Sequence, residues 1–172
     1  VPFPSTMVDR IVPATTDADR ELVRDLIGCE DAWPIMTEPF TQWVIEDTFW
    51  NGRPKFETVG ATIAREVEAF ELMKLRMLNG SHSTMAYLGY LAGHETISDT
   101  VADPVFASFC KALWNTEITP GLHAPKGVSL ADYTSALFAR YSNPAIRHRT
   151  WQIAMDGSQK IGQRWLEVLA ER

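Results

Sequence analysis

The chain has 172 residues, 45% of them hydrophobic and 22% charged, with a formal net charge of −6. That length and apolar content suit one domain with its own core and exclude a disordered chain. The acidic balance, without any basic run, excludes a phosphate-binding nucleic-acid surface, and no stretch approaches the ~18 apolar residues of a membrane span.

The start, Val1-Pro2-Phe3-Pro4, has no charged segment followed by an apolar one, so it does not read as a signal peptide. The lack of a starting Met beside Pro2 and Pro4 suggests a piece of a longer chain. Thr6 to Val12 alternates loosely and predicts a short strand. Thr15 and Thr16 are N-cap candidates, with Asp17 and Asp19 favourable in a first turn. Leu22, Val23, Leu26 and Ile27 then fall at helical spacing, and Gly28 is placed to stop the helix. Pro34, Pro39 and Pro54 forbid a long helix over 29–60, where Thr41 to Asp47 is β-prone. From about residue 62 the pattern is helical: Ile63, Val67, Phe70, Met73 and Met77 step by three and four, and the helix is predicted to run on to Gly93. Asp103 and Pro104 predict a helix over 104–115, with Val105, Phe109, Ala112 and Leu113 inward. Ser129 caps another over Leu130–Tyr141, with Leu130, Tyr133, Leu137 and Phe138 inward; Asn143-Pro144 ends it. Ile146–Met155 and Lys160–Ala170 read as two more. Cys29 and Cys110 form no framework, which predicts two buried free thiols in a reducing cytoplasm. The expectation is one mainly α domain over 1–172 with a small β element near its start.

The most informative segment is Glu71 to Met85. Its first half is excellent helix former, whereas Asn79-Gly80-Ser81-His82-Ser83 is poor, and apolar periodicity resumes at Met85. A helix that carries such residues mid-length sacrifices local stability, as functional sites often do. At about 100° per residue, Lys74, Asn79 and His82 lie within roughly 140° of arc. A lysine, an amide and an imidazole on one side suit a small polar ligand. The residues also fit a solvated Lys74, a helix ending at Asn79 with Gly80 as its C′ residue, and a buried, satisfied His82.

Lys74-Leu75-Arg76-Met77-Leu78-Asn79-Gly80-Ser81-His82-Ser83, followed by Tyr87-Leu88-Gly89, resembles the catalytic-helix signature of the mannitol dehydrogenase family, the polyol-specific long-chain dehydrogenases. Phe3 to Ile11, Gln42 to Asp47, and Asn143 to Ile146 with Gln152 to Lys160 resemble further blocks of that family, in the same order. The resemblance implies the multi-helical C-terminal fold of the 6-phosphogluconate dehydrogenase type. It implies an NAD-dependent oxidoreductase acting on a sugar alcohol or sugar acid, with a partner Rossmann domain that binds NAD. No Gly-x-Gly pair occurs in the chain, so that domain's fingerprint is expected outside it, and the isolated chain is expected to be inactive.

By the same resemblance Lys74 is the general acid–base, Asn79 donates to the reacting oxygen, and His82 orients a substrate hydroxyl. Val8, Asp9, Gln152 and Lys160 match positions lining the substrate site. No metal is implied: His123 and His148 lack ligand neighbours at zinc spacing, and the cysteines are not clustered. Gln152 stands where mannitol-specific members carry arginine, and Arg147 to Gln152 looks more like the fructuronate reductase branch, whose carboxylate substrate Arg147, Arg149 or Lys160 would suit. A non-catalytic helical interaction domain would account for the six tryptophans and the amphipathic helices. It would not account for Asn-Gly-Ser-His inside a helix, nor for the order of the blocks. Lys74, Asn79, His82 and Lys160 are expected to line one open concave surface, with Val8 and Asp9 at its rim.

Overall fold

The computed structural model describes residues 1–171. Three strands, β1 (Thr6–Asp9), β2 (Gln42–Glu46) and β3 (Thr62–Ala64), form one small sheet. β2 is central, antiparallel to β1 with Val8 opposite Trp43, and parallel to β3 with Val44 opposite Thr62. Side chains alternate along β1, so Met7 and Asp9 turn inward while Thr6 and Val8 turn outward. Between β1 and β2 lies α1 (Asp17–Ile27), closed at one end by a reciprocal Thr16–Asp19 capping box and at the other by Gly28 at φ 74°.

The rest of the chain is helical. α2 (Glu68–Met73) continues without a break into a π-helical turn, Lys74–Gly80, and then into α3 (Ser81–Leu91). α4 (Ile97–Ala102) and α5 (Pro104–Ala112) follow, then a second π turn at Leu113–Ile118. α6 (Leu130–Tyr141) leads to α7 (Thr150–Ala154), α8 (Gly157–Ile161), a third π turn at Gly162–Leu166 and α9 (Glu167–Ala170). The fold is mainly helical with a small sheet near its start, as the sequence predicts. Met73, Met77, Met85, Trp114, Leu137 and Tyr141 form the centre of the core, and Met7, Ile11 and Val44 join it from the sheet side. Among the described residues no helix is long and apolar enough to cross a membrane.

Local capping chemistry sets several boundaries where expected: Asp103 accepts from Val105 N with Pro104 at the first helical position, and Ser129 accepts from Asp132 N. Other expectations need correction. The long helix begins at Glu68, not near 62, because Thr62–Ala64 pairs with β2. α4 is an additional helix, and the helix expected from Ile146 begins only at Thr150. Cys29 is exposed, while Cys110 is buried; both are free thiols. Leu22, Leu26 and Ile27 of α1 face solvent, as do Val105 and Phe109 of α5. In each case the apolar stripe exists, but these side chains of it are left at the surface among the described residues.

Candidate active site at a π-helical turn

The long helix α2–α3 carries the candidate residues where it widens. A π turn is bonded i→i+5, so residues five apart come to the same side of the helix. Lys74 and Asn79 are five apart, at the two ends of the turn's polar side, and His82 follows Asn79 by three. The 140° separation expected from regular α geometry is thereby narrowed. π turns of this kind are rare and frequent at functional sites.

Lys74 is half-buried, and its Nζ donates to the Val8 carbonyl oxygen at 2.5 Å. This tethers the turn to β1. Val8 itself is 55% exposed, so its side chain stays at the surface. Asp9 does not stay at a rim: it is 1% exposed. Strand alternation turns its carboxylate to the inner face, where Arg140 holds both oxygens at 2.8 and 3.0 Å and the Tyr133 hydroxyl donates at 3.2 Å. Arg140 also grips Glu38, at 2.7 and 2.9 Å, and Glu38 accepts from the Ile11 backbone N–H at 2.6 Å. Two buried carboxylates thus share one buried guanidinium, which leaves the Asp9 carboxylate no free face towards a ligand.

The Asn79 side-chain amide makes no hydrogen bond to the described residues, so both its donors are free for a ligand. The expectation of an open surface fails for His82, which is 6% exposed. Its ring stacks on Tyr141 with centroids 5.2 Å apart and meets His148 edge-on at 4.8 Å. His82 Nε2 and His148 Nδ1 are both buried without a hydrogen-bond partner among the described residues. They border a cavity of about 10 Å³ that Ile11, Ile97, Arg140 and Ile146 help to close, room for about one water. Burial, reinforced by the charges of His148, Arg164, Arg140 and Lys160, holds the His82 imidazole well below its ordinary 6.5. Burial, and then Lys160, brings His148 down to about 4. Both imidazoles are neutral at pH 7, able to donate from one nitrogen and accept at the other.

Lys160 lies on α8, half-buried, with Nζ donating to the Ile153 carbonyl at 3.1 Å. The helix that presents it starts after Asp156, which has φ 58°, a conformation Asp tolerates better than most residues. Gln152, on α7, is half-buried and makes no side-chain hydrogen bond to the described residues. The contacts connect the candidates in sequence: Lys74 to Val8, Asp9 to Arg140, Arg140 past the small cavity to His82, and His82 to His148, with the Lys160 charge acting on both rings.

Sequence reasoning missed Arg140, Glu38, His148 and Tyr141. Arg140 had a readable signal, because it sits between Leu137 and Tyr141 on the inward face of α6, where a charge must be paired. Glu38 and His148, in segments without helical or strand periodicity, had none.

Comparison with known proteins places this architecture. A family model described as the mannitol dehydrogenase C-terminal domain matches residues 66–172, and one described as the mannitol dehydrogenase Rossmann domain matches residues 1–58. The seam falls ahead of α2, with β1, α1 and β2 on the Rossmann side. D-mannonate oxidoreductase of Escherichia coli (strain K12) is 56% identical over 167 residues, 97% of this chain and 34% of that protein. Mannitol 2-dehydrogenase of Pyrenophora tritici-repentis is 44% identical, over 99% of this chain and 31% of that protein. The Pseudomonas fluorescens mannitol 2-dehydrogenase, solved as a ternary complex with NAD and D-mannitol, superposes with a TM-score of 0.88 at 41% identity, over 98% of this chain and 34% of that one. The chain spans about a third of the length of these relatives.

Proposed function

This chain belongs to the mannitol dehydrogenase family, and we propose that it supplies the substrate side of an NAD-dependent active site that interconverts a polyol or aldonate and the matching ketose or keto-acid. The observation that carries the reading is the π turn, which sets Lys74 and the free amide of Asn79 on one side, with Lys74 anchored to β1.

The chemistry follows from those groups. A neutral lysine amine has two N–H donors and one lone pair. With one N–H given to the Val8 carbonyl, the lone pair is restricted to the two remaining directions and can accept the substrate's hydroxyl proton. In the reverse direction the ammonium returns that proton to the ketone oxygen. Asn79 donates a hydrogen bond to the same oxygen as negative charge develops on it, the task of an oxyanion donor. His82, kept neutral by burial, reaches a substrate hydroxyl only through the one-water cavity that its buried Nε2 borders. Val8, Gln152 and Lys160 complete the substrate wall. Asp9 acts at one remove, by fixing β1 through Arg140. The proton transfer assigned to Lys74 needs no metal.

NAD, when bound, supplies the hydride acceptor. The chain offers no Gly-x-Gly turn to cradle its phosphates, so the residues that would hold it lie in a partnering Rossmann segment, and the isolated chain is expected to be inactive. An aldonate is the better substrate candidate. Arg147 and Arg149 sit on the connection that leads into α7, only loosely paired with Glu95 at 3.7 and 3.9 Å. A carboxylate would be the stronger partner for them.

The test is Lys74→Ala in the intact protein. Turnover of D-mannonate with NAD should fall by about 10²–10⁴-fold, as for loss of a general acid–base, with NAD affinity unchanged. A variant keeping more than roughly a tenth of turnover removes Lys74 from the mechanism. The same assay run with D-mannitol reads out the substrate preference.

A further inference from the structure

The carbonyl oxygens of the Lys74–Gly80 turn are held from outside the helix. In an α-helix each carbonyl accepts from the N–H four residues on. Where bonding widens to i→i+5 and then narrows again, the pattern slips by one residue and carbonyls at the exit lose their regular donors. Here four consecutive ones receive donors from outside the helix, the Leu78 oxygen in addition to the Ser81 N–H. Trp114 Nε1 donates to the Met77 oxygen at 2.9 Å and the Tyr141 hydroxyl to the Leu78 oxygen at 2.8 Å. Arg164 Nη1 lies 3.4 Å from the Asn79 oxygen, and Trp165 Nε1 donates to the Gly80 oxygen at 3.1 Å. From within the helix, Ser81 and Thr84 hydroxyls add bonds to Met77 and Gly80.

The outside donors arrive from three separate stretches: the second π turn, α6 and the third π turn. Trp114 and Tyr141 are buried, and burial keeps the Tyr141 phenol protonated, so it remains a donor. Gly80 lets the third π turn come close, since a Cβ there would stand 3.2 Å from the Arg164 carbonyl oxygen. A buried indole or phenol needs some acceptor. Nothing in packing alone requires that the acceptors be successive carbonyls of one turn, and that this be the turn bearing Lys74 and Asn79.

The geometry points to Trp114, Tyr141 and Trp165 as positioning residues that hold the Lys74–Gly80 turn in its widened form and so set where Asn79 and His82 stand relative to Lys74. Collapse to a regular α-helix would rotate everything beyond the turn by one residue, about 100°, and carry Asn79 and His82 away from the Lys74 side. The inference rests on the proton-transfer role given to Lys74 above.

The test uses the intact protein with Tyr141→Phe and Trp165→Phe combined. Both changes keep an aromatic ring and remove the donor, so the ring at position 141 can keep its stack on His82. A crystal structure is read for the bonding pattern over 74–80, and steady-state kinetics for kcat and the KM of NAD. The expected result is reversion of the turn to i→i+4 bonding, with kcat lowered by about 10- to 100-fold, the scale of a ~1 Å misplacement, and the KM for NAD unchanged. A turn that stays widened overturns the inference, whatever the activity. A reverted turn with full kcat leaves the carbonyl clamp standing and instead overturns the assignment of catalysis to this helix. Tyr141→Phe alone is read by the same criteria if the double variant does not fold.

Discussion

The α1 helix and the α3 helix are the same length, eleven residues, and meet opposite fates. α1 has a clean apolar stripe and good caps at both ends, yet buries none of its residues. α3 begins with the polar run Ser81-His82-Ser83-Thr84 and has no clean stripe, yet Ser81, His82, Ser83, Met85, Ala86 and Gly89 are all buried. α3 is packed on several sides by α4, α5 and α7, whereas α1 leans on its own neighbours through single bonds such as Arg20 to the Ala32 carbonyl. The contrast extends to the regions around them. The Rossmann-matching region, 1–58, carries exposed Phe3, Leu26, Trp33, Ile35 and Trp50, while the region from 66 on builds the core. An apolar stripe therefore reports that a helix face seeks a partner; it does not report that the partner lies in the same stretch of chain.

What joins the two regions is ionic as well as apolar. Arg140 of α6 reaches across to Asp9 and Glu38, both from the first region, and lies over the Phe40 ring at 4.0 Å. If this cluster is the bolt, Arg140→Met strands two buried carboxylates and should destabilise by about 3–5 kcal/mol. At about 2–4 °C per kcal/mol for a chain of this size, the thermal midpoint should drop on the order of 10 °C. Adding Asp9→Asn and Glu38→Gln to Arg140→Met should recover much of that loss, because no charge is then left unpaired. A midpoint unmoved by Arg140→Met would mean that the first region is held by Met7, Ile11 and Val44 alone.

The two regions were also unequally legible. Capping is a local code, so Thr16, Gly28, Asp103 and Ser129 marked their helix ends without help from the fold. β3 has only three residues and is defined by its pairing with β2, so no periodicity announced it. Lys74, Asn79 and His82 stood out because poor helix formers interrupt a good helix. Their spacing could not be read, since the π turn is held open by Trp114, Tyr141 and Trp165, the last 85 positions from the carbonyl it binds. Asp9 was identified by resemblance as a lining residue. Its burial could not be anticipated, because its partner Arg140 is 131 positions away.

A smaller effect separates the regions by pH. The His82–His148 pair lies in the body, under Ile11 from the first region, with Arg140, Arg164 and Lys160 as nearby positive charges. Unfolded, His148 titrates near 6.5; folded, near 4. As pH falls below 6.5 the unfolded chain takes up a proton that the fold refuses, so stability falls with pH and levels off below about 4. At about 1.4 kcal/mol per pH unit, that gap corresponds to at most about 3.5 kcal/mol for His148. His82 adds to the loss in the same direction. Urea unfolding at about pH 7.5 and about pH 4.5 should therefore show a smaller acid loss in His148→Gln than in the unsubstituted protein. Equal losses would mean that His148 is protonated within the fold.

The smallest expected effect is the one that tests the comparison most directly. Leu26 is 74% exposed on α1, whereas Leu137 is fully enclosed on α6. In the 172-residue chain, Leu26→Ser should change the unfolding free energy by less than about 0.5 kcal/mol. Leu137→Ala in the same chain should cost about 2–5 kcal/mol. The intact protein then discriminates. If the α1 face is covered there, Leu26→Ser removes burial worth about 1.5–3 kcal/mol, and the same substitution becomes costly only in the longer chain. A small effect in both would make α1 a solvent-facing helix whose apolar stripe has no structural partner. A large effect already in the short chain would mean that Leu26 is covered without any help from outside, and the contrast between α1 and α3 would fail.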